Sequence, residues 1–164
     1  MSSNHQRIGS ISNAHVGRDF EAIAHAYFQR SEGIALQRDF RVFLGVGSTE
    51  KAHRFDLGSD DPPVLIECKS LRWTEAGKVP SAKIRSCNEA MDYFHLAPAQ
   101  YRKVLFMLRS EHPRGSETFA QYYARTQDHL IPPAVTILEY DEQLGTVLSI
   151  KTADEEGAFS RTDP

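Results

Sequence analysis

The chain has 164 residues, of which 40% are hydrophobic and 25% charged, and its formal net charge is −3. The length suits one globular domain and is too short for two of ordinary size, and no apolar run approaches the length of a membrane span. The charge argues against a small, uniformly basic nucleic-acid-binding protein, although it leaves room for a local basic surface.

The two ends of the chain are expected to lie outside the folded domain. Residues 1–12 are rich in Ser, Asn and Gln and predict a disordered tail, and residues 153–164 predict a flexible acidic tail. Residues 13–152 are then one domain. The polar amino-terminal segment resembles no export signal, which favours a cytoplasmic protein with Cys68 and Cys87 as reduced thiols.

The first predicted element is a helix that begins near Ser12 or Asn13, either of which could cap it, and ends at Gly33. Its apolar residues recur at helical spacing, at Val16, Phe20, Ile23, Ala24, Tyr27 and Phe28. Glu21 falls at the edge of this apolar stripe. Two interpretations of Glu21 stay open, a half-exposed surface residue or a member of a functional site.

Three strands are predicted to follow the helix. Alternating apolar residues between Ile34 and Val46 indicate a long first strand, and residues 45–49 turn the chain into a hairpin. The hairpin consists of two strand-like runs on either side of Asp60-Asp61-Pro62-Pro63, a sequence typical of a turn. Asp60 and Asp61 are therefore interpreted as turn residues.

The second half of the chain predicts two helices and three strands. A second helix buries Ile84, Cys87, Met91 and Phe94, and the apolar run from Val104 to Leu108 indicates a central strand covered on both faces. A third helix is predicted from Ser116. A terminal hairpin turns at 141–145.

Three residues of the central hairpin are the candidates for a catalytic site. Glu67 and Lys69 are two positions apart on one strand, so their side chains point to the same face. Asp56 lies on the strand that folds back antiparallel, and the hairpin can bring it to the same end of the sheet. Carboxylates are ligands for Mg²⁺, and a lysine can orient a water molecule and offset charge on a phosphate.

Asp56, the spacer at 57–66 and the sequence Glu67-Cys68-Lys69 resemble the motif of the PD-(D/E)XK nuclease superfamily, whose members are restriction-endonuclease-like. One difference is that Phe55 stands where the family name has proline. The resemblance implies an α/β fold with a mixed sheet, an αβββαβ core extended here by a helix and a hairpin. The element order predicted above from the residues alone agrees with that core.

The resemblance also implies roles for particular residues. Asp56, Glu67, the backbone carbonyl of Cys68 and Glu21 would be metal ligands, and Lys69 would act with Asp56, Glu67 and Glu21 in catalysis. Mg²⁺ is the expected cofactor, with Mn²⁺ as a substitute. Basic residues just before and on the predicted second helix are candidate phosphate contacts, although charged helix faces are usually only solvated; they are Lys78, Lys83 and Arg85.

The expected function is a metal-dependent endonuclease that hydrolyses DNA, with RNA as an open alternative substrate. A second hypothesis is an inactive module that keeps this fold to bind nucleic acid or a protein. A third is a small assembly protein that dimerises through the Tyr122-Tyr123 helix and the terminal hairpin. A homodimer would also suit a nuclease that cuts both strands, so a dimer does not distinguish these hypotheses.

Overall fold

The structure is a computed structural model that describes residues 13–154, and side chains from residue 17 onward. The predicted tail at 1–12 and most of the tail at 153–164 lie outside this range. The helices are α1 (Asn13–Glu32), α2 (Ser81–Leu96) and α3 (Phe119–Thr126), and a short 3-10 helix spans Asp128–Leu130. None of the helices in the described range is long and apolar enough to cross a membrane.

Six strands form one mixed sheet in the order in which they occur along the chain. They are β1 (Gln37–Val46), β2 (Thr49–Asp60), β3 (Pro63–Lys69), β4 (Arg102–Leu108), β5 (Val135–Asp141) and β6 (Thr146–Lys151). The pairs β3–β4 and β4–β5 are parallel and the other three pairs are antiparallel. The predicted α/β class and the element order are confirmed.

The core lies on both faces of the sheet. Helix α1 covers one face through Phe20, Ala24 and Phe28, and helices α2 and α3 cover the other. The central strand β4 shows this division, because Phe106 faces the α1 side and Leu105 faces the α2 side, and both are fully buried. The prediction of a strand covered on both faces is confirmed, as a parallel central strand requires.

Two predicted element starts are wrong by a few residues. Ile34 is buried ahead of β1, which starts only at Gln37, so the apolar alternation includes residues that pack without pairing. Helix α3 starts at Phe119 rather than Ser116. Its start is fixed by a capping box in which Thr118 accepts the backbone N–H of Gln121 and the Gln121 side chain accepts that of Thr118.

Close packing of β1 on β2 makes Gly58 intolerant of a side chain. A Cβ atom added at Gly58 would lie 2.4 Å from Cδ1 and 2.9 Å from Cβ of Phe40. We expect Gly58→Ala to lower the free energy of unfolding by about 1–3 kcal/mol, the usual range for overpacking. Gly17→Ala is the matched control, because no atom lies within 4 Å of its added Cβ.

Urea unfolding of the two variants checks this packing. Gly17→Ala should be neutral or stabilising by about 0.5–1 kcal/mol, since alanine is a better helix former than glycine. Equal unfolding midpoints for Gly58→Ala and wild type would contradict the described contact between Gly58 and Phe40.

Candidate active site

Strands β2 and β3 separate at the position of Asp56. Their ladder runs from the Asp60–Pro63 pair to the Leu57–Ile66 pair, and both strands continue beyond it. The backbone N–H of Cys68, which lies past the end of the ladder, donates to Oδ2 of Asp56 at 2.7 Å. The carboxylate of Asp56 is thus fixed between the two strands, and we call this place the fork.

Glu67 and Lys69 lie on the β3 side of the fork. Their side chains share a face, as the alternation along a strand predicts, and Nζ of Lys69 lies 3.8 Å from Oε2 of Glu67. The Glu67 side chain is only 9% exposed and that of Lys69 19%. Both line a cavity of about 170 Å³ beneath α2, whose other lining residues are His53, Arg54, Ser86, Glu89, Ala90 and Tyr93.

Burial raises the proton affinity of both acids of the fork. Burial raises the pKa of Glu67 to about 8, the Asp56 carboxylate adds to the shift, and Lys69 opposes it. Burial also raises the pKa of Asp56, against the Cys68 N–H and the Lys69 ammonium, which favour its ionised form. Two partly desolvated carboxylates therefore face a single ammonium group, and the fork is short of positive charge.

Glu21 approaches the fork from α1. Its side chain is 23% exposed, and Oε2 lies 3.7 Å from Nη1 of Arg38. Burial raises the pKa of Glu21, and the next largest cause is the charge of Asp56. Glu21 is thus within electrostatic reach of Asp56, which fits its predicted place at the edge of the apolar stripe.

The thiol of Cys68 plays a packing role. The side chain contacts the hydrophobic core on the α1 side of the sheet, opposite the face of Glu67, and burial raises the pKa of the thiol well above its ordinary value. Neither Cys68 nor Cys87 forms a disulfide, as predicted. The backbone carbonyl of Cys68 stays a predicted metal ligand.

His53 also lies at this site, although the sequence pattern did not single it out. Its Nε2 lies 3.5 Å from Oε1 of Glu67, and its ring stacks on Tyr93 with centroids 3.6 Å apart. Burial lowers the pKa of the imidazole, and Nε2 is buried without a hydrogen-bond partner within the described chain. The available signal was the alternation along β2, which places residue 53 on the same face as the buried Phe55.

Asp39 is a second residue that sequence reasoning missed. It has a positive φ of 51° and its charge contributes to the raised pKa of Asp56. The ladder between β1 and β2 contains pairs on both sides of Asp39 but none at it. A single aspartate inside a strand pattern gives no sequence signal of a left-handed backbone, although aspartate tolerates that conformation better than most residues.

The three candidate phosphate contacts lie in different settings. Lys78 and Arg85 are exposed, in the loop before α2 and on α2 respectively. Lys83 is half-buried and its ammonium donates to the backbone carbonyl of Arg72. Arg85 precedes Ser86, which lines the cavity beside Glu67. Their role in binding stays a prediction.

The donor set of the fork fits a hard divalent cation by its chemistry. Within residues 13–154, no three His, Cys, Asp or Glu side chains already form a metal-binding cluster. Mg²⁺ does not require one, because it is usually held by one or two carboxylates and completes its shell with water and phosphate oxygens. Asp56 and Glu67 supply two such carboxylates, and the single ammonium of Lys69 does not balance their combined negative charge.

Comparisons of the chain with protein-family models, curated proteins and solved structures found no match. The assignment of function therefore depends on the residues of the fork and on their geometry.

Proposed function

We propose that the protein is a metal-dependent nuclease of the PD-(D/E)XK type that hydrolyses DNA phosphodiester bonds. The observation that carries the proposal is the fork, where Asp56 is held by the Cys68 N–H at 2.7 Å and Glu67 lies beside Lys69 at 3.8 Å. Acidic oxygens that would suit a hard cation and an ammonium group lie together at the fork.

Each residue has a distinct task in this mechanism. Asp56 and Glu67 would hold Mg²⁺, helped by the Cys68 carbonyl, and the ion would supply Lewis-acid stabilisation of the phosphate charge. Lys69 orients the attacking water and offsets charge that develops on the phosphate. Glu21, on α1, interacts electrostatically with Asp56 and adjusts the charge of the site, and His53 contacts the Glu67 carboxylate from β2.

Metal binding gives the first test of these tasks. We expect Asp56→Asn and Glu67→Gln each to weaken Mn²⁺ binding by about tenfold or more in calorimetric titrations, because each removes one charged ligand. Asp60→Asn is a matched control on the same hairpin, since Asp60 lies at the turn and accepts a hydrogen bond from Tyr101. Its affinity should equal that of wild type.

The same titrations separate the nuclease from its alternative. A protein that binds neither Mn²⁺ nor Mg²⁺ and cleaves no labelled DNA would be an inactive module with this fold. Unchanged affinity in both Asp56→Asn and Glu67→Gln would place any bound ion elsewhere and contradict the proposed ligands.

A further inference from the structure

The β1–β2 hairpin extends well beyond the rest of the sheet. Strand β2 pairs with β1 from Thr49 to Gly58, but with β3 only over its last four residues, Leu57 to Asp60. Residues 41–54 therefore form a two-stranded extension, which we call the hairpin arm. One face of the hairpin arm is buried toward the α2 side through Val42 and Leu44.

The opposite face of the hairpin arm is open and carries arginine and phenylalanine. Arg41 and Phe43 alternate with the buried residues of β1, and Phe43 is 65% exposed. Arg54 pairs directly with Arg41 in the ladder, so the two exposed arginines share this face, and Ala52 pairs with Phe43. We call the set Arg41, Phe43 and Arg54 the open face.

The open face has unbalanced positive charge. Like charges directly opposite one another destabilise an antiparallel pair. Neither Arg41 nor Arg54 forms an ion pair with another residue in the described part of the chain. The acid on this face is Glu50, which pairs with Gly45 near the far tip of the arm. A partner that bears negative charge at regular intervals would relieve the repulsion between the arginines.

The exposed ring of Phe43 favours a single-stranded nucleic acid as that partner. It lies two residues from Arg41 along β1 and diagonal to Arg54, a separation of about 7–8 Å that long side chains can cover. Proteins that bind single strands combine aromatic rings, which stack on bases, with cations, which contact phosphates. The bases of a duplex are already stacked on one another and cannot reach Phe43.

The open face also leads toward the fork. Arg54 lies two residues before Asp56 on β2, about 7 Å along the strand. We propose that the open face binds single-stranded DNA and directs it into the fork between β2 and β3. The direction of the strand into the fork rests on the proposed nuclease function, whereas binding to the open face does not.

Fluorescence anisotropy in EDTA tests the proposal without hydrolysis. The probes are a labelled oligo-dT of about 16 nucleotides, which suits a site of this size, and a blunt duplex of equal length. Wild type should bind the oligo-dT more tightly than the duplex. Phe43→Ala should weaken oligo-dT binding by about fivefold to a hundredfold, the range for loss of one stacked base.

Removal of the arginines should change the salt dependence as well as the affinity. The double variant Arg41→Ala/Arg54→Ala should bind at least tenfold more weakly, and its slope of log K against log salt should be shallower by about 1.4, for two lost contacts with single-stranded phosphates. Lys51→Ala is the matched control, because Lys51 pairs with the buried Leu44 and so lies on the other face of the hairpin arm.

The outcomes are distinct. Wild-type affinity in Phe43→Ala and in the double arginine variant, an equal loss in Lys51→Ala, or equal binding of the duplex would each overturn the proposal. All three substituted residues of the open face are exposed, so circular dichroism should show folded variants.

Loss of oligo-dT binding in these variants, with no hydrolysis by wild type under any metal, would support the open face and reject the nuclease. Hydrolysis by wild type together with unchanged oligo-dT binding in the variants would support the nuclease and reject the open face.

Discussion

Replacement of Lys69 with alanine is expected to lower the turnover of DNA hydrolysis by about a hundredfold or more, the usual scale for loss of a positioned catalytic group. The affinity for Mn²⁺ should change little, because the ammonium is not a ligand. Lys69 lies 3.8 Å from Glu67 and is 19% exposed, so it is held at the site rather than free in solution. Single-turnover cleavage of labelled DNA and calorimetry measure the two quantities on the same preparations.

The control for Lys69 is Lys151→Ala. Lys151 lies on β6, an edge strand three strands away from β3, where it forms an ion pair with Asp128. The Lys151→Ala variant should cleave DNA at the wild-type rate. Equal cleavage rates for Lys69→Ala and wild type would reject the assigned role of Lys69. Lys69→Arg should not restore the rate, since a planar guanidinium cannot reproduce the compact ammonium.

Without metal, the stability of the protein should fall as the pH rises from about 4.5 to about 8. The pKa of Glu67 is raised from 4.5 to about 8 by burial and by Asp56. Within this window the folded protein keeps a proton that the unfolded chain has lost, so each rise in pH favours unfolding. Each pH unit costs at most about 1.4 kcal/mol from this source. The effect belongs to Asp56 and Glu67 jointly, because their titrations interact.

The variant Glu67→Gln should remove most of that slope. It has no ionisable group at this position, so above about pH 8 it should be more stable than wild type in EDTA. Excess Mn²⁺ should reverse the order, because the cation stabilises the ionised pair in wild type and finds one ligand fewer in the variant. Thermal unfolding across the pH range, with and without Mn²⁺, measures both effects.

A glutamate outside the fork provides the control for this pH effect. Glu75→Gln changes an exposed residue in the loop after β3 and should follow the wild-type curve. Parallel stability curves for wild type and Glu67→Gln would show that Glu67 ionises normally in the folded state, in contradiction to its burial beside Asp56.

The parts of this fold that follow from local patterns could be predicted from the sequence. The run from Val104 to Leu108 predicted a strand covered on both faces, and Gly33 predicted the end of α1, where it has a positive φ of 68°. The shared face of Glu67 and Lys69 followed from the alternation of side chains along any strand. Periodicity and glycine stereochemistry determine such features before any tertiary contact forms.

The remaining features depend on contacts between distant segments. The separation of β2 from β3 arises where the Asp56 carboxylate, rather than a backbone carbonyl, accepts the Cys68 N–H. The place of His53 depends on Tyr93, forty residues away, which stacks on its ring. The open face depends on the register that sets Arg41 opposite Arg54. A hydrophobic pattern specifies which face a residue takes but not its partner across a strand.

Anomalous scattering from crystals soaked in Mn²⁺ would show directly whether the fork binds a divalent ion. We expect a single strong peak in the fork, about 2 Å from a carboxylate oxygen of Asp56 and from one of Glu67. Lys69 should lie near the ion without contacting it. A fork without a peak at saturating Mn²⁺, or an ion bound only elsewhere on the protein, would contradict the metal-dependent nuclease.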